Sequence, residues 1–171
     1  YGSDKGVWLN GGRPNAATFR YADAQMMESI ICTHVSKRRW HTFEEVRKMA
    51  DKRKHALAAG KVITPLSYVG YTNHEPVEDT FYCYAVARVL GLLWADWFTS
   101  GNSQGTILYK TRLGGSRSEM LDYNGMYYRL FNNGVVVVNP TGEPRKLKVK
   151  TGFTFLRDVL TNRRYSPHDE S

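Results

Sequence analysis

The 171-residue chain holds only two cysteines, Cys32 and Cys83, with no CxxC pair and no paired histidine nearby. That argues against a zinc centre, and no metal is expected. Either one disulfide joins the two or both are separate buried thiols, and buried thiols are the preferred reading. No apolar run reaches the roughly 18 residues needed to cross a bilayer, so no membrane span is expected. Neither GxGxxG nor GxxxxGK[ST] occurs, so the pair Gly11-Gly12 is no phosphate loop, and no cofactor is implied. A starting Met, a signal peptide and low-complexity tracts are also missing. The chain runs almost at once into the apolar Val7-Trp8-Leu9, which reads as a segment cut from something longer.

Acidic residues are outnumbered, 16 against 24 Lys and Arg, for a formal charge of +8. Such an excess suits nucleic acid or another polyanion. Here the basic residues are scattered in short groups, Lys37-Arg38-Arg39, Lys52-Arg53-Lys54 and Arg145 to Lys150, with none reaching five in a row. No aromatic-basic motif accompanies them, so solvated faces are the better account and nucleic acid is disfavoured. What is present is a globular composition, 42% hydrophobic and 13% aromatic, at a length that allows one sizeable core.

In chain order, Gly6 to Asn10 reads as a short buried strand with Asn10 at its exit. Tyr21 to Ile31 reads as a second strand, apolar over most of its length yet carrying Glu28 near its far end. Thr42-Phe43-Glu44-Glu45 has the capping-box spacing, and Phe43, Val46, Met49, Ala50 and Leu57 trace one helical face up to Gly60. Lys61 to Leu66 gives a third strand, expected to stop near Thr64 or be distorted there because Pro65 cannot donate a ladder hydrogen bond. The loop from Ser67 to Val77 offers Tyr68, Tyr71, Asn73, His74 and Glu75. Thr80 to Phe98 reads as a helix that is apolar nearly all round and therefore well buried. This alternation argues for crossover units with parallel strands. Beyond Ser100 the texture becomes β-rich, with a hairpin expected about Asn132-Asn133-Gly134 and a loose polar end after Asn162.

Taken in order, these pieces resemble the C-terminal half of the glycoside-hydrolase-like (β/α)8 barrel proteins. The features that carry the likeness are the Asn-ending strand Val7 to Asn10, the strand Tyr21-Ala22-Asp23-x-x-Met26-x-Glu28 and the strand led by Gly60-Lys61. An apolar helix follows, then Tyr127 to Thr141 with its run Gly-Val-Val-Val-Val-Asn-Pro-Thr. One departure is Ala24 after Asp23, where the family typically has Gly. The resemblance implies an α/β fold, the C-terminal part of a (β/α)8 (TIM-type) barrel followed by a small antiparallel β-meander. On that reading residues 1–100 supply the last barrel strands and helices, 101–122 a linker, 123–162 the β module and 163–171 a polar tail. A full barrel needs about 250 residues, so another polypeptide would supply the first part.

The implied activity is hydrolysis of an O-glycosyl bond in a polysaccharide, at the cell surface or outside the cell. Such chemistry generally uses two carboxyl groups. Asp23 and Glu28 cannot be that pair in an extended strand, because five steps put them roughly 16 Å apart and on opposite faces. Glu28 is therefore the catalytic candidate, with its partner from the missing half or from Glu75. Asn10, Asp23, Tyr68, Asn73, His74 and Glu75 are the candidate substrate-binding or supporting residues. A second reading makes the chain a non-catalytic structural or glycan-binding subunit of an assembly.

Overall fold

The computed structural model describes residues 6–10, 21–33, 39–69, 77–96, 106–148 and 152–166. Its first sheet holds β1 (Trp8–Leu9), β2 (Ala24–Glu28), β3 (Val62–Ser67) and β4 (Ala95–Asp96), all parallel and in that spatial order. Between β2 and β3 lie helices α1 (Phe43–Asp51) and α2 (Lys54–Ala58), and α3 (Val77–Val89) joins β3 to β4. After the short α4 (Thr106–Lys110), strands β5 (Leu121–Tyr123), β6 (Met126–Phe131) and β7 (Gly134–Val138) form an antiparallel sheet. A final two-stranded ladder pairs β8 (Leu156–Arg157) with β9 (Arg164–Tyr165).

The expected barrel segment is not what forms. The parallel sheet is open, with two-residue strands at both of its edges, and the remaining sheets are small and antiparallel. Closing a barrel requires long, tilted strands that share a consistent stagger all the way round. Two-residue ladders cannot carry that stagger. The packing also differs from a barrel wall with a module appended, because α3 lies against β7 and β6. Met27, Ile31, Ile63, Val46, Val86, Val89, Phe131, Val136 and Val138 consequently belong to one buried cluster spanning both sheets. Each such side chain contributes about 1.5–3 kcal/mol by leaving water.

Local sequence explains most element ends. Thr42 caps α1: its Oγ1 accepts from the Glu45 N–H at 3.2 Å, and Glu45 Oε2 accepts from the Thr42 N–H at 2.8 Å. That backbone bond from Thr42, the largest influence, holds the Glu45 carboxyl below its usual range. Thr42→Ala is expected to destabilise the protein by about 1 kcal/mol, read as a lower midpoint in urea with an unchanged slope. The single helix expected up to Gly60 is interrupted at Lys52 and Arg53, where the Arg53 N–H reaches back three residues to Ala50. α2 then stops as expected at Gly60, with φ +75°, where Gly60 bonds Leu57 and Lys61 bonds Ala56.

Two strands end differently from expectation. β3 does not stop at Thr64 but passes through Pro65 to Ser67. The Ile63 carbonyl accepts from Leu93 while the Leu66 carbonyl accepts from Ser29, so successive residues bond to alternate sides. The missing Pro65 N–H therefore falls on the β4 side, where pairing begins only at Leu66 with Ala95. β2, expected to continue to Ile31, ends at Glu28 because Ser29 takes a left-handed φ of 59°.

The long helix expected from Thr80 to Phe98 ends at Val89 instead. Gly91, at φ +77°, bonds Arg88, and Leu92 bonds Ala87, which is the paired pattern of a glycine-terminated helix. Leu92 is then buried and Ala95-Asp96 joins the sheet as β4.

Candidate functional site

Because β1 to β4 are parallel, their carboxyl ends share one rim of the sheet, and open α/β sheets bind ligands outside that rim. Glu28 is the last residue of β2, its side chain exposed. Register places it beside Leu66 on β3, and Tyr68 stands one alternation further along the same face. The Tyr68 hydroxyl donates to Glu28 Oε2 at 2.9 Å. Tyr68 is otherwise buried, only 6% exposed. Among the described residues no other hydrogen bond reaches Glu28.

On the same face, one step back from the rim, Met26 pairs with Thr64, whose buried Oγ1 has no hydrogen-bond partner. The opposite face carries Met27 and Ile63 into the helical core. The strands thus hold the carboxylate at the edge of a partly polar floor, and the core fixes the backbone beneath it.

Burial first, and the bond to Glu28 second, push the Tyr68 phenol above its usual range. Burial does the same for Tyr82 and Tyr84. Unfolded phenols titrate near pH 10, so these groups support the fold fully below that pH. Above it the unfolded chain releases protons that the folded chain keeps, and stability falls as pH rises. Tyr68→Phe is expected to flatten that fall, seen in urea midpoints taken between about pH 8 and pH 11.5.

The other sequence candidates distribute as follows. Asn10 lies just beyond β1, exposed and at the same rim as Glu28. Asp23 is at the amino end of β2, away from that rim, and its Oδ2 accepts from the Val7 N–H at 2.7 Å. The Asp23 N–H returns a bond to the Val7 carbonyl at 2.9 Å, so this residue ties β1 to β2. Asn73, His74 and Glu75 lie outside the described residues. Cys32 and Cys83 are both buried, and no disulfide joins them. Among the described residues no cluster of three or more His, Cys, Asp or Glu could hold a metal, and no helix is long and apolar enough to cross a membrane.

One rim residue escaped the sequence reading. Asp96 is the last residue of β4, the position that Glu28 holds on β2, but its stretch reads as helix from composition. The available signal was Gly91 followed by the short apolar run Leu92 to Ala95 and then an acid. In comparisons with known proteins, the chain matches no family model and no curated protein.

Proposed function

We propose that Glu28 is the reacting carboxylate of a site that hydrolyses O-glycosyl bonds in a polysaccharide. The observation that carries this reading is the hydrogen bond from Tyr68 to Glu28 at the carboxyl rim of the parallel sheet. Glu28 is engaged there as an acceptor, the form that a nucleophile or a general base requires. Tyr68 fixes one carboxylate oxygen, and the other is directed to a substrate. Asn10, at the same rim, offers an amide for sugar hydroxyls.

The second carboxyl group that such hydrolysis needs comes from outside the described residues, from Glu75 or from a partner polypeptide that completes the site. A glycan partner at the cell surface or outside the cell belongs to the same proposal.

The test is release of reducing ends from a panel of neutral and acidic polysaccharides, with the wild-type chain and Glu28→Gln compared at matched folding. Turnover by the wild type that Glu28→Gln removes supports the reading. Binding without turnover in both forms replaces it with a glycan-binding subunit.

A further inference from the structure

We infer that a second ligand site, built for an acidic sugar, lies beside the β4 edge of the parallel sheet, two strands away from Glu28. A cavity of about 470 Å³ opens there, between the C-terminal half of α3, the chain entering β4, α4 and the segment that follows it. The cavity is lined by Leu93 and Trp94, which lead into β4, and β3 lies between them and Glu28 on β2. The volume lies within the range of small-molecule sites.

The lining has a definite chemistry. Arg88 and Arg112 face the cavity, and among the described residues no acidic residue lines it and neither arginine makes an ion pair. Arg88 is positioned by stacking over Phe131, 5.2 Å from its centroid, and its buried Nε has no acceptor. Trp94 is only 8% exposed, and its buried indole N–H also has no acceptor.

Aromatic rings supply the rest. Tyr84 meets Trp94 edge-on at 5.5 Å and 86°, and Trp94 meets Tyr109 at 5.0 Å and 35°. This chain of contacts fixes Trp94, while Tyr109 remains 57% exposed and presents a ring at the cavity mouth. Two guanidiniums beside an open ring suit a flat-faced molecule bearing a carboxylate, because a guanidinium grips a carboxylate with two parallel hydrogen bonds. A uronic-acid sugar combines both features. The choice of a sugar rests on the glycan reading of the Glu28 rim, whereas the preference for an anion rests on this cavity alone.

The experiment is calorimetric titration of the full chain with trigalacturonate, maltotriose and adenosine monophosphate. Trigalacturonate is expected to bind, with salt weakening the binding, and Arg112→Ala and Tyr109→Ala are each expected to reduce affinity about tenfold or more. Arg112 is exposed and Tyr109 is at the surface, so both variants are expected to fold, which thermal melts check. Glu28→Gln is expected to bind trigalacturonate like the wild type, so loss of turnover at the rim and loss of binding here remain separate results. Equal binding of maltotriose, binding of the nucleotide alone, binding that ignores Arg112, or no binding of any of the three overturns the inference.

Discussion

Glu28→Gln is expected to reduce polysaccharide hydrolysis by about 10²- to 10⁴-fold, the range over which a positioned carboxyl group contributes as acid or base. The substitution keeps the side chain's shape and retains an oxygen that accepts the Tyr68 hydroxyl, so the local bond survives. What it removes is the negative charge and the ability to take or give a proton. The side chain is exposed, and its loss of charge leaves no buried group unpaired, so the melting temperature should stay close to wild type. Tyr68→Phe makes the informative comparison. It keeps the carboxylate and deletes the group that aims it, so a smaller loss, about tenfold, is expected, and it should appear in kcat more than in KM. If Glu28→Gln hydrolyses as well as wild type, the rim is not the reacting centre.

The rim was legible in the sequence for a local reason. One acid near the far end of an otherwise apolar stretch marks the rim, although the stretch reads on to Ile31 and only the left-handed Ser29 makes Glu28 the last residue of β2. The loop donor was equally visible as a residue type, although only the register between β2 and β3 shows that Tyr68 reaches Glu28 and not solvent. Parallel pairing could be read from the alternation of strands and helices. Closure into a barrel could not, because it depends on which strands flank the first and the last, and no local pattern encodes that.

Turn chemistry shows the same division. The sequence contains three Asn-Gly pairs, and the hairpin expected about Asn132-Asn133-Gly134 rests on the apolar run Val135 to Val138 that follows it. The structure gives the mirror-image two-residue turn to Asn124-Gly125, at φ 53° and 78°, between β5 and β6. The expected hairpin forms as well: Asn132-Asn133 turns between β6 and β7, with Gly134 already opposite Phe131 in the ladder. Both sites satisfy the dipeptide signal, and only strand pairing decides which one turns with positive φ. At the C-terminal end the reading expected a loose tail, yet β9 forms there, with Arg164 stacked 4.1 Å over Phe155 and Arg163 5.1 Å over Tyr165. Charged side chains that look solvated in sequence are here partners of rings several residues away.

Gly91→Ala is expected to destabilise the protein by about 3 kcal/mol, which lowers the melting temperature by roughly 6–12 °C for a chain of this size. Two effects contribute. Gly91 has φ +77°, where an alanine is strained by about 1–2 kcal/mol. A Cβ at that position would also collide with Nη1 of Arg129 and lie 3.2 Å from its Cζ. The guanidinium cannot swing away freely. It is buried, donating through Nε to Ser116 Oγ at 2.9 Å and to the Ser118 carbonyl at 2.8 Å, and through Nη2 to Glu119 at 3.0 Å. These bonds strap the segment before β5 across β6 and hold it beside the end of α3. The ion pair itself matters less, because Glu119 is 93% exposed, and Glu119→Gln is expected to change stability by under about 1 kcal/mol. Arg129→Ala, by contrast, strips Ser118 of its donor and empties the space beside Gly91, for a loss of about 2–4 kcal/mol. The double mutant separates the two contributions. With Arg129 already truncated, the new methyl group of Gly91→Ala has room, and only the backbone strain of about 1–2 kcal/mol should remain. Urea titrations of the four proteins measure that coupling. Losses that simply add would show that the contact between Gly91 and Arg129 carries none of the energy, and that backbone conformation alone selects glycine at the end of α3.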